Sequence, residues 1–163
     1  MANTSLIPNY TTQKSVMETA RDIQGKLILA PGFNGHILKD DNNHPFGVVV
    51  EAKVEGRWMT FRREIDVAHA QKQMLNLHEQ GLMSSISAKA LGNIEKVRRI
   101  VMRQLLDWVT NGISDTLLGT SSGPIETFGG YLTDGNGLPA FRALENHIKA
   151  LPEGQDEHER IQP

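Results

Sequence analysis

Apolar positions along this chain alternate between two periods. The stretch "FGVVVEAKVEGRWMTFRREID", Phe46 to Asp66, carries the period of two expected of strands, broken once at Glu55-Gly56. A two-residue turn there sets Val54 opposite Arg57, Ala52 opposite Met59 and Val50 opposite Phe61. Val48, Val50, Ala52, Met59 and Phe61 then share a core face, and Val49, Glu51, Lys53, Trp58, Thr60 and Arg62 share the other. Helical spacing appears elsewhere. Val16, Ala20 and Ile23 form a modest stripe, with Thr12 as the expected cap and Gly25 as the expected stop. Val67, Ala70, Met74 and Leu77 follow a cap at Asp66 and end before Gly81. The longest pattern holds Ile94, Val97, Val101, Leu105 and Trp108, opened by a cap at Ser87 or Asn93 and fading after Gly112. "KLILAP" and His36 to Lys39 read as short strands. "GTSSGPIETFGGYLTDGNGLP" reads as turns, and "AFRALENHIKAL" as a last helix carrying Phe141, Leu144 and Ile148. The expected fold is α+β: a small antiparallel sheet with a β-hairpin, packed against three to four helices. One domain is expected over residues 12–151, between a flexible arm, 1–11, and a disordered polar tail, 152–163.

Charge narrows the partners. With 17 Lys and Arg against 19 Asp and Glu, net charge is -2, so contact with nucleic acid would need a local basic patch. The chain has no cysteine, which removes disulfide frameworks and thiolate zinc sites and suits a reducing compartment. No apolar run reaches the roughly 20 residues that span a bilayer. The opening "MANTSLIPNYTT" lacks the basic and apolar regions of a secretory signal. A cytoplasmic protein without a membrane partner is expected.

Several chemistries can be tried on the residues. Glu51 and Lys53, two apart on a strand, have the spacing of the PD-(D/E)xK nucleases. There the carboxylate binds Mg²⁺ while the lysine stabilises the attacking water. Such a site also needs a second carboxylate, for which Asp41, Asp40 or Glu18 is available, but the Pro-Asp pair is missing. His36 and His44 bracket Asp40 and Asp41, though residues of these types in turns are favoured for backbone reasons. "DGNGLPAFRALE" starts and ends like a calcium loop, but Leu138 and Pro139 occupy its fifth and sixth positions. Neither a phosphate-cradling loop nor a nucleophile elbow is present. No catalytic residue, metal or cofactor is expected, with Asp41, Glu51, Lys53 and Mg²⁺ held for the nuclease alternative alone.

The stretch "LHEQGLMSSISAKALGNIEKVRRIV" resembles the helix-turn-helix of transposases and phage regulators, with one residue too few between Gly92 and Val97. Lys96, Arg99 and Arg103 form a basic stripe on its second helix, where Glu95–Arg99 and Arg103–Asp107 spacing also suits a solvated face. Over residues 27–108 the strand, the Asp/Asn turn, the Gly-Arg hairpin and the "Leu-x-x-x-Gly-Leu" step resemble a module of an uncharacterised prophage and plasmid protein family. That small module stands in front of a helicase-like ATPase domain. The resemblance covers about half the chain and brings no ATPase, since no nucleotide loop is present. It implies an accessory or adaptor from a mobile element. The favoured reading is therefore a non-enzymatic binding module for nucleic acid or a protein, with Arg57, Arg62, Arg63, Lys96, Arg99 and Arg103 on phosphates. The alternatives are the Mg²⁺ nuclease and a structural or assembly protein of a phage particle or complex, with self-association open in each case.

Overall fold

A computed structural model describes residues 12–83 and 86–133, with 137, 139, 140 and 142. The chain runs α1 (Val16–Leu29), β1 (Phe33–Lys39), β2 (Pro45–Val54), β3 (Arg57–Glu64), α2 (Val67–Glu79), α3 (Ala88–Leu91), α4 (Ile94–Leu118) and α5 (Pro124–Phe128). A 3₁₀ turn, Gly129–Tyr131, follows. The strands form one antiparallel sheet in the order β1-β2-β3. The fold is α+β. The arm expected at 1–11, the tail expected at 152–163 and most of the expected last helix lie outside the described residues.

The hairpin follows the alternation of its sequence. Val54 faces Arg57, Ala52 faces Met59 and Val50 faces Phe61. Glu55 and Gly56 both take positive φ, 48° and 81°, as a turn matched to strand twist requires. Val48, Val50, Ala52 and Phe61 are buried against the helices, with Met59 half-buried beside them. On the other face Lys53 and Trp58 are exposed, Glu51 is half-buried, and Val49 is buried although it belongs to neither core cluster among the described residues. Val49 lies between His36 of β1 and Arg62 of β3.

Two expectations for the first helix are corrected. Its cap is Ser15, not Thr12: the Ser15 hydroxyl accepts from the Glu18 N–H while the Glu18 carboxylate accepts from the Ser15 N–H. "KLILAP" does not form a strand, because α1 continues through Gly25 to Leu29. Val16, Ala20, Ile23 and Leu27 make one buried row, so the apolar period persists past the glycine. Leu27 presses on β1 at Gly35, where a Cβ would lie 2.2 Å from the Val49 carbonyl oxygen and 2.9 Å from Leu27 Cδ1. Only glycine fits there.

Helix α4 is the spine of the molecule. Asn93 caps it and Ser87 caps α3, so both candidate positions serve. It passes Gly112 and stops at Gly119, which is left-handed at φ 69°. Its first turns pack Val97, Ile100 and Val101 against Met74, Met83, Ile86 and Leu91. Its later turns pack Met102, Leu105, Leu106, Val109 and Ile113 against α1, the sheet and Phe128. This is a wider face than a single stripe: Ile94 is 38% exposed, and Trp108 is half-buried at the margin. The segment expected to be turns contains α5, whose Phe128 is fully buried and contacts the rings of Phe33, Phe61 and Trp108. A Cβ on Gly112 would lie 2.1 Å from Phe128 Cζ, so the glycine inside the helix is the seat of this ring. Beyond it, Leu132 bridges Phe61, and the Thr133 N–H and hydroxyl both donate to the Thr60 carbonyl.

Candidate nucleic-acid interface

Helices α1 and α4 lie side by side and run the same way. Near their starts, Ser15 and Val16 share a cleft with Glu95, Arg98 and Arg99. Near their ends, Lys26, Leu29 and Ala30 share one with Thr110, Ile113 and Leu117. Antiparallel return of β1 brings the Asp40–His44 turn to the same end as the helix starts, where His44 and Pro45 line the first of these clefts. Partial positive charge from the two helix starts therefore accumulates at this end.

Arg99 stands between two openings here. One, about 190 Å³, is bounded by Ser15, Met17, His44, Pro45 and Arg98. The other, about 420 Å³, lies between α3 and α4 and is bounded by Ser87, Lys89, Asn93, Lys96 and Arg99. Glu95 borders both. Arg98 pairs with Glu95 one turn earlier, and Arg103 pairs with Asp107 at 3.4 Å. Arg99 makes no ion pair among the described residues. The Lys96 ammonium donates to the Thr12 carbonyl at 3.0 Å. Burial, and then the charge of Arg99, hold the Lys96 pKa below its ordinary value. Two cations thus sit close together, and the acid that borders them, Glu95, is already engaged by Arg98. An anion in the cleft would relieve both.

The six basic residues proposed from the sequence do not form one surface. Lys96, Arg99 and Arg103 follow one another along α4. Arg57 belongs to the hairpin tip, at the opposite end of the sheet from the Asp40–His44 turn. Arg62 lies on the sheet face that carries Val49 and is held by Glu64, with Nη2 2.6 Å from Oε1. Arg63 turns inward: it pairs with Val48 on the helix side, its guanidinium 4.9 Å from the Trp108 ring centre and 5.1 Å from that of Tyr131. Its charge is engaged by two aromatic faces. The clefts also involve Lys89, which sequence reasoning passed over, and His44, which it weighed only as a metal ligand. Their signal was available in principle, since Lys89 closely follows the Ser87 cap on a short helix.

The nuclease trio is dispersed. Glu51 pairs with Asn34, whose side-chain amide donates to Glu51 Oε2 at 3.2 Å. The Asp40–His44 turn lies at the other end of β2, beyond Pro45, so Asp41 is removed from Glu51 by roughly 20 Å of strand. One ion cannot bridge them. Asp40 instead serves its turn, accepting the N–H groups of Asn42 and His44 at 2.9 Å each. The His44 N–H is the main reason its pKa lies below the usual carboxylate range. Among the described residues no three His, Asp or Glu side chains converge as metal ligands would. No described helix is long and apolar enough to cross a membrane.

Comparison with protein-family models, curated proteins and solved structures finds no match to this chain.

Proposed function

We propose that the protein is a non-enzymatic binding module that holds the phosphate backbone of a nucleic acid at the clefts flanking Arg99. One observation carries this reading: Arg99 and Lys96 crowd together at the shared start of two parallel helices, and Arg99 has no acidic partner among the described residues. Holding like charges together costs free energy that a phosphate would offset. Contacts of this kind position a nucleic acid without reading its sequence. Arg103, tied to Asp107 farther along α4, plays a lesser part. The resemblance to a mobile-element module suits an accessory role of this kind.

Fluorescence anisotropy with labelled single-stranded and duplex oligonucleotides of mixed sequence, at low salt, tests the reading. Arg99→Glu should weaken binding at least about tenfold, a loss expected when an attraction to phosphate becomes a repulsion. Arg57→Glu, at the other end of the sheet, should leave affinity within about twofold. Absent binding by the wild type, or equal loss at Arg57, would overturn it.

A further inference from the structure

The Asp40–His44 turn is closed without the histidine ring. The Asp40 N–H donates to the His44 carbonyl at 3.0 Å, and Asp40 Oδ1 accepts the N–H groups of Asn42 and His44 at 2.9 Å each. Yet His44 lines the cleft of about 190 Å³ that Ser15 and Met17 share with Arg98 and Arg99. Its role lies there rather than in the turn.

The second oxygen of Asp40 orients the ring. Oδ2 lies 3.5 Å from His44 Nδ1, so the carboxylate favours a proton on that nitrogen. Asp40 stays an anion through the neutral range, because the His44 N–H, chiefly, holds its pKa below the usual carboxylate range. Nε2 is then the nitrogen that changes state. On a neutral ring it offers a lone pair, which repels a phosphate oxygen, and on a protonated ring it offers a donor.

Charges surround His44 from each neighbouring element. Its own turn holds Asp40 and Asp41, and Lys39 stands opposite Pro45 in the ladder. Helix α4 brings Glu95, Arg98 and Arg99 to the cleft, and Glu95 and Arg98 pair with each other. Helix α1 brings Ser15 and Met17, and the acid of its first turn, Glu18, is bonded back to Ser15. Strand β3 ends at Glu64, which is held by Arg62. The cation left for an incoming anion is Arg99, which makes no ion pair among the described residues.

We propose that His44 is a proton-linked phosphate contact, gripping from the turn the same phosphate that Arg99 grips from α4. The inference rests on the reading that phosphates enter the clefts flanking Arg99. A phosphodiester is anionic throughout the neutral range, so a proton taken up on binding goes to the protein. Arginine keeps its charge throughout and gives no such linkage. Histidine is the side chain that changes charge between about pH 5 and 8. Affinity for nucleic acid therefore rises as pH falls through the neutral range.

Anisotropy with a labelled oligothymidine, at constant ionic strength, tests the proposal, since thymine gains no proton in this range. Wild-type affinity should rise about fivefold from pH 8 to pH 6, as one histidine proton held tighter by about one pH unit implies. His44→Gln should cut the rise to less than about twofold, with an unchanged circular dichroism spectrum because the turn is closed by other bonds. His36→Gln, on β1 and outside the cleft, should keep the full rise. The same comparison excludes Lys96, whose lowered pKa belongs to the other cleft. Calorimetry of the wild type in two buffers of different ionisation enthalpy needs no variant. It should show uptake of about half a proton at pH 7. Salt-sensitive binding that ignores pH, or an equal rise in the wild type and His44→Gln, would overturn the role of His44 and leave the phosphate reading standing. Absent binding at both pH values would overturn both.

Discussion

Replacing Gly112 with alanine should destabilise the protein, against the usual preference of helices. In an α-helix interior, alanine is favoured over glycine by about 1 kcal/mol. At Gly112 the new Cβ would fall 2.1 Å from Phe128 Cζ and 2.4 Å from Cε1. Contacts that short cannot persist, so either the ring or the helix moves. The ring is fully buried and packs edge-on against Phe33 and Trp108, with centroid separations of 6.2 and 4.9 Å. Overpacking of this kind costs about 1–3 kcal/mol if the core adjusts. Expulsion of the ring would approach the roughly 3–5 kcal/mol of a buried phenylalanine truncation. After the propensity gain, a net loss of about 1–3 kcal/mol is expected. Gly25 is the control: it also lies inside a helix, α1, and a Cβ added there would have no neighbour within 4 Å. Gly25→Ala should therefore stabilise by about 0.5–1 kcal/mol. Urea denaturation followed by far-UV circular dichroism gives both values, and the near-UV signal of Trp108 reports the ring cluster. Stabilisation at both positions would refute the placement of Phe128.

Leu105→Ala, at a core position 1% exposed, should cost about 2–5 kcal/mol in the same denaturation assay, against less than about 0.5 for Arg103→Ala. The Ser15 hydroxyl is the main cause, with the Ser15 N–H next, of the lowered Glu18 pKa. A depressed carboxylate contributes stability that is present above its unfolded pKa and lost as pH falls through the folded one. Thermal melts from pH 7 down to pH 2 should thus show a shallower acid decline in Ser15→Ala than in the wild type, besides a cap loss of about 0.5–2 kcal/mol. Since Asp41 precedes β2 and Glu51 lies toward its far end, millimolar Mg²⁺ should leave the melting temperatures of the wild type and of Glu51→Gln each unchanged. A magnesium-dependent rise confined to the wild type would restore the nuclease reading.

The legible parts of the fold were those set by local chemistry. A two-residue turn fixes hairpin register, and strict alternation then fixes which side chains face the core. Ser87, Asn93 and Asp66 announce their helices because short polar side chains satisfy free N–H groups. Two of the misjudged boundaries came from glycine. Gly25 and Gly112 look like stops, but neither takes the left-handed conformation that ends a helix, and the apolar rows run through them. What Gly112 accommodates is a ring 16 residues onward, and no local period reveals such a contact. For the site, the basic stripe on α4 could be read but its clefts could not, since they depend on α1, α3 and the Asp40–His44 turn meeting at one end. Arg63 was a different matter. Its inward direction follows from the same hairpin register that places Val48 in the core.

The central claim is that Lys96 and Arg99 meet phosphates, and the salt dependence of binding tests it most directly. Each phosphate contact contributes about 0.7–0.9 to the slope of log affinity against log salt concentration, on single or double strands respectively. Titrations of a labelled oligonucleotide from about 25 to 200 mM salt should give a slope for Lys96→Ala with Arg99→Ala that is flatter than the wild type by roughly 1.4–1.8. Parallel lines for the two proteins, whatever their offset, would contradict the account.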